Sequence, residues 1–175
     1  MSMREATTAA LLLALVGAGV RAESLGHGRA ATPEEIALFD ISVGPDGAGL
    51  PPGSGAARQG KLVFEARCVT CHGEKGEGKP NDRLVGGFGT LKGPQAAVKT
   101  IGSYWPYATT VFDYVRRAMP FDAPKSLTND EVYAVTAYLL HLNGLIGEDA
   151  IVDARTLPRI EMPNRKGFTP YRPGE

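Results

Sequence analysis

Two cysteines and a histidine stand together in "EARCVTCHGEKGEG", residues 65–78: Cys68, Cys71 and, directly after, His72. Residues three apart on a helix share a face, so both thiols can reach the two vinyl groups of one porphyrin. The imidazole then lies beneath the ring plane, where a nitrogen can bind iron. Cys-x-x-Cys-His is the covalent attachment signature of c-type heme, and it predicts one covalently attached heme c. Three other chemistries use part of this pattern. A zinc site needs two more soft ligands, but no further cysteine exists, and His27 and His141 lie far apart in sequence. A thioredoxin-like pair follows a strand in a βαβ pattern, which is absent. A disulfide across two residues is strained and leaves the histidine without a role.

A heme that transfers electrons commonly carries methionine opposite the histidine, because a thioether raises the potential. Beyond the first residues the methionines are Met119, in "RRAMPFDAP", and Met162, in "IEMPNRKGF". Met119 follows a predicted helix, "TTVFDYVRRA", whose apolar side carries Val111, Tyr114, Val115 and Ala118. A short loop then leads to a last helix that opens on the capping box "TNDE" and stops at Gly144. A loop pinned between two packed helices can hold a ligand at a fixed distance, so Met119 is the expected opposite ligand. Met162 lies in a proline-rich tail and would have to fold back over the heme. The plainer role for either is an apolar gap-filler. His141 is expected in the body of the last helix and His27 in solvent. A carbonyl from the loop after the motif should accept the His72 Nδ1–H, Pro80 being the nearest proline. Trp105, in "GSYWPYATT", has an indole N–H suited to a heme propionate, or to the wet edge of a packed core. No acid–base pair accompanies the motif, and no catalytic residue is expected.

These side chains need an all-α frame. "AARQGKLVFEARC" carries Leu62, Val63 and Phe64 with no proline and predicts a helix into the motif. The heme unit spans residues 56–143, helices joined by Gly-rich loops, and "GEGKPNDRLVGGFGTLKGP" predicts a loop along one heme edge. Irregular arms flank it at 23–55, with a short capped helix "TPEEIALF", and at 144–175. Neither arm has the apolar pattern of its own core; such segments stay disordered or are ordered by lying on another protein. The two readings are a strap on a partner subunit and a strap over this chain's own heme unit. Residues 1–22 end an apolar run, Ala9 to Val20, with "VRA", the pattern of a cleaved secretory signal and hence a periplasmic protein. That run is short of the roughly 20 residues that span a bilayer; an uncleaved anchor is the alternative, and no membrane span is expected in the mature chain. The full chain has 19 basic and 19 acidic residues, and without Arg4, Arg21 and Glu5 it has 17 and 18. That balance excludes the concentrated basic surface that nucleic acid requires.

The core resembles class I c-type cytochromes: Gly60 and Phe64 on the first helix, the attachment motif, a methionine loop, and Val135 and Tyr138 on the last helix. More narrowly, "DISVGPDGAGLPPGSG", "LVGG", "IGSYWPYATTVFDYVRRAMPF", "SLTNDEVYAVTAYLLHLNGLIGED" and "EMPNR" resemble the cytochrome subunit (SoxD) of sulfane dehydrogenase and the related sulfite dehydrogenase cytochromes. The resemblance covers nearly all of the mature chain. It implies a class I cytochrome c fold with heme on Cys68, Cys71, His72 and Met119, and packing of Gly60 and Phe64 against the pair on the last helix. It further implies an electron-transfer subunit rather than a stand-alone enzyme. Electrons would come from a SoxC-like molybdenum-cofactor subunit oxidising sulfane sulfur or sulfite, and would leave to a downstream c-type cytochrome. The best-known members carry two heme domains, whereas this chain has one attachment motif. A free diffusible carrier is the alternative, and an open-site heme enzyme or sensor, which a Met119 ligand would preclude, comes third.

Overall fold

The computed structural model describes residues 27–169; the secretory signal expected at 1–22 lies outside them. The chain divides into two compact units, one ending at Ile36 and the other beginning at Ala37. In the first, Thr32 and Glu35 form a capping box. The Thr32 N–H donates to Glu35 Oε2 over 2.9 Å and the Glu35 N–H to Thr32 Oγ1 over 3.3 Å, opening helix α1, Pro33–Phe39.

The second unit runs through strand β1 (Ser54–Ala56), helices α2 (Ala57–Arg67) and α3 (Val69–His72), a 3-10 turn at Thr90–Lys92, and helices α4 (Ala108–Ala118) and α5 (Asn129–Leu142). Strand β2 (Ile151–Asp153) and a second 3-10 turn at Leu157–Arg159 complete it. No described helix is long and apolar enough to cross a membrane. The helical expectation holds, with one addition: β1 and β2 pair antiparallel, Gly55 opposite Val152.

Helix α5 is the axis of the core. Its capping box forms as expected, with the Thr128 N–H donating to Glu131 Oε2 over 2.8 Å and the Glu131 N–H to Thr128 Oγ1 over 3.3 Å. From Val132 to Leu140 every residue is buried, because α5 is covered on all sides and so is apolar nearly all round. Helix α2 starts where the Gln59 side chain accepts the Ala56 N–H over 3.1 Å, and it buries Ala57, Gly60 and Phe64. At Gly60 the two helices touch backbone to backbone: a Cβ there would overlap the carbonyl of Ala134. One turn on, Phe64 meets Tyr138 edge-to-face, centroids 5.4 Å apart. Helix α4 closes the third side with Ala108, Thr109, Val111, Phe112 and Val115. Tyr114, expected on that apolar side, is instead 47% exposed. The buried stripe follows the i, i+3, i+4, i+7 series from Ala108, which gives the core place to Phe112 and leaves Tyr114 on its flank.

Both arms return to this core. Val43 and Leu50 pack against it from the N-terminal side, and Val152, Leu157 and Met162 are buried within it from the C-terminal side. Of the two places open to the arms, Val43, Leu50, Val152, Leu157 and Met162 thus lie on or in this chain's own core. The strap before β1 is tied to α5 where the buried Tyr133 hydroxyl donates to the Pro51 carbonyl over 2.8 Å.

Gly60→Ala should lower stability by about 3 kcal/mol, the upper range for overpacking, and the melting midpoint by roughly 10 °C, read by thermal unfolding. A second prediction concerns alkaline pH. Burial, with Asp153 nearby, pushes the Tyr133 phenol up to about 12, against about 10 in an unfolded chain. The folded state therefore holds this proton more tightly. Its stability should be full below pH 10 and fall as pH rises toward 12. Melting curves of Tyr133→Phe should be flatter than wild type across that window, while starting lower for loss of the Pro51 contact.

Candidate heme centre

Helix α2 ends at Cys68, whose N–H donates to the Phe64 carbonyl over 2.8 Å, and α3 begins there. The Cys68 carbonyl accepts from the Cys71 N–H over 3.2 Å and the His72 N–H over 3.0 Å. These bonds close one helical turn and set both cysteines and the histidine on it, each half-buried. The two thiols are free. Burial pushes the Cys68 thiol up to about 11, the reverse of the depressed thiols of redox pairs. Among the described residues no three His, Cys, Asp or Glu side chains gather to hold a metal ion.

The following loop curls back under the motif. The Gly78 N–H donates to the His72 carbonyl and the Asn81 N–H to the Cys71 carbonyl, each over 2.9 Å. That closure brings the Asp82 carbonyl, rather than that of Pro80, within 2.8 Å of His72 Nδ1. With Nδ1–H donating to a carbonyl, the lone pair sits on Nε2, where it can bind a metal. The loop is held by further bonds, the Leu84 N–H to the Gly76 carbonyl over 2.8 Å and Arg83 Nε to the Glu77 carbonyl over 3.0 Å.

Met119 caps α4, its N–H donating to the Val115 carbonyl over 3.0 Å, and its half-buried side chain packs against the core. The chain then turns through Pro120–Ala123 and Ala123–Ser126 bonds toward α5. Met162 lies elsewhere in the core, 1% exposed. Trp105 is half-buried, edge-on to Tyr114 with centroids 5.7 Å apart. Its segment is covered from the C-terminal side, where Asn164 Nδ2 donates to the Tyr104 carbonyl over 2.7 Å and the Arg165 guanidinium lies 4.6 Å over the Tyr107 ring. His141 is half-buried at the end of α5, its Nδ1 3.2 Å from the Ile146 carbonyl, and His27 is exposed.

Sequence reasoning passed over Asn143, which joins the loop to α5. Its Oδ1 accepts the Gly86 N–H over 3.1 Å, and its Nδ2 donates to the carbonyls of Leu84 over 3.2 Å and Leu139 over 2.9 Å. An asparagine just past a helix end looks like ordinary punctuation, and only its burial marks it as structural.

A family model described as Cytochrome c matches residues 57–143. A chain in the crystal structure of the sulfane dehydrogenase SoxCD from Paracoccus pantotrophus is 47% identical. The match covers 85% of this chain and 73% of that one, with a TM-score of 0.78. The chain belongs to the cytochrome c family. The class I fold expected from the sequence is the fold observed, and the chain resembles sulfane dehydrogenase cytochromes as expected. A thiosulfate dehydrogenase from Psychrobacter arcticus is 30% identical over 83 residues, which are 47% of this chain and a quarter of that protein's length.

As a cytochrome c the protein is an electron carrier with heme c as its cofactor. The donor set fits that group. Two free thiols and an imidazole lie on one turn, and the imidazole's second nitrogen is already engaged by a backbone carbonyl.

Met162→Ala should cost about 2–5 kcal/mol, as for other buried methionines cut to alanine, measured by denaturant unfolding, with the heme spectrum unaltered. A changed ligand band in that variant would move the ligand assignment to Met162.

Proposed function

We propose that this cytochrome is a periplasmic, single-heme subunit bound to a molybdenum-cofactor dehydrogenase that oxidises sulfane sulfur or sulfite. It takes electrons from that subunit and passes them to a downstream c-type cytochrome. The likeness to the sulfane dehydrogenase chain carries this reading, because it runs through both arms as well as the heme unit. The thiosulfate dehydrogenase match adds a second relative named for sulfur-compound oxidation, over 83 residues.

In this reading Cys68 and Cys71 would hold one heme through thioethers, and His72 and Met119 would be the residues that bind its iron. The heme supplies reversible one-electron chemistry. The protein's own residues do the rest. The Asp82 carbonyl fixes the plane and tautomer of His72, and the packed ends of α4 and α5 hold Met119 in place. Trp105 offers its indole N–H to a propionate. With His72 and Met119 both committed to the iron, the heme would carry electrons only, and the sulfur chemistry would belong to the partner.

A second reading, a free diffusible carrier, draws on the arms: Val152, Leu157 and Met162 are committed to this chain's own core. One experiment separates the two. The tagged chain, co-expressed with a molybdenum-cofactor subunit of the sulfite oxidase type from the same genome, should co-purify with it. Its heme should then be reduced on addition of sulfite or thiosulfate. The isolated chain should oxidise neither, and Met119→Ala should lose the weak far-red band of a methionine-bound ferric heme. Steady turnover by the isolated chain would overturn the subunit reading, and absence of a complex would leave the free carrier.

A further inference from the structure

The N-terminal strap makes its polar contacts at a particular place. Along α4 it meets Thr109, Asp113, Arg116 and Arg117, the i, i+4, i+7, i+8 face of that helix. Thr109 Oγ1 donates to the Pro45 carbonyl over 3.4 Å and Arg116 Nη1 to the Ile41 carbonyl over 3.4 Å. The centre of the set is the Asp113 carboxylate. Its Oδ1 accepts from the Val43 N–H over 2.9 Å and from Arg117 Nη2 over 2.6 Å, and its Oδ2 accepts from Arg117 Nε over 3.3 Å. Arg117 Nη2 also reaches Ser42 Oγ over 3.5 Å. The carboxylate is thus doubly paired by one guanidinium and bonded to the strap backbone, in a position only 22% exposed. Charge-assisted bonds of this kind are among the strong ones.

Farther on, the same strap grips the start of α5. Asn129 Nδ2 donates to the Pro52 carbonyl over 3.2 Å, the Ser54 N–H to Asp130 Oδ1 over 2.8 Å, and the Tyr133 hydroxyl to the Pro51 carbonyl over 2.8 Å. The end of α4 and the start of α5 are the two anchors of the segment 119–128, which begins with Met119. The stretch matched by the family model starts only at residue 57, so this strap is an addition to the family's heme unit.

We propose that the strap is a clamp on the methionine loop and that Asp113 is a positioning residue for Met119, acting through the last turn of α4. The proposal rests on Met119 being the axial ligand. A thioether holds iron by a single coordinate bond, and the loop must swing for an external ligand to take its place. The strap resists that swing by fixing both ends of the loop at once. Asp113 joins the strap to Arg117, two residues before the ligand.

The test is the rate at which cyanide replaces methionine on the ferric holoprotein, followed by loss of the far-red band. Asp113→Ala should raise that rate by about tenfold, the effect of removing a charged, partly buried hydrogen-bond acceptor. Asp113→Asn, which keeps an acceptor for the Val43 N–H, should fall between it and wild type and serves if the alanine variant fails to fold. Met162→Ala removes core packing and none of the strap's hydrogen bonds to α4 or α5; it should melt lower yet exchange cyanide at the wild-type rate. Wild-type exchange in both Asp113 variants would overturn the clamp, as would equal acceleration in Met162→Ala. Failure of the underlying ligand reading looks different: the far-red band would survive Met119→Ala.

Discussion

The backbone contact between Gly60 of α2 and Ala134 of α5 leaves no room for a side chain, since a Cβ at residue 60 would overlap the Ala134 carbonyl. Much else depends on it. With the two helices in contact at that point, Phe64 can reach Tyr138 one turn later. The end of α2, where Cys68 begins the attachment turn, is then fixed relative to α5. Gly55 repeats the device on β1, where a Cβ would overlap the backbone of the same Ala134. Two glycines thus seat a helix and a strand on one residue of the central helix, and the β1–β2 pair draws the C-terminal arm onto that site.

Around that contact the polar groups are arranged to hold segments rather than to react. The Asp82 carbonyl orients His72, Asn143 fastens the loop at 84–86 to α5, and Asp113 fastens the strap to α4. The last two join parts of the chain distant in sequence. A carrier that gains and loses one electron works best when its surroundings move little between the two states. A densely tied loop and two straps are consistent with that demand.

The features that were legible in the sequence are those set by local chemistry. The Cys-x-x-Cys-His spacing fits one helical turn regardless of fold, and the Thr128–Glu131 capping box involves four consecutive residues. The helix at 57–67 followed from an apolar run without proline. Resemblance added Gly60 against the last helix and Phe64 against Tyr138, both of which the structure contains. Other features were not legible. Phe112 and Tyr114 are both aromatic and two residues apart, and only the packing of α4 decides which is buried. Pro80 and Asp82 both lie in the loop after the motif, and only the way the loop closes on Cys71 and His72 decides whose carbonyl reaches the imidazole.

By itself, then, the sequence determined the helical class, the sharing of one helical turn by Cys68, Cys71 and His72, and the caps that start and stop α5, because each depends on bonds spanning a few residues. The tertiary structure alone decided where the arms lie. Their apolar residues, Val43, Leu50, Val152, Leu157 and Met162, are too few and too irregular to show a period, so nothing local directs them. They pack on this chain's core because α4 and α5 offer apolar surface and free polar partners there, which arise only once the helices have assembled.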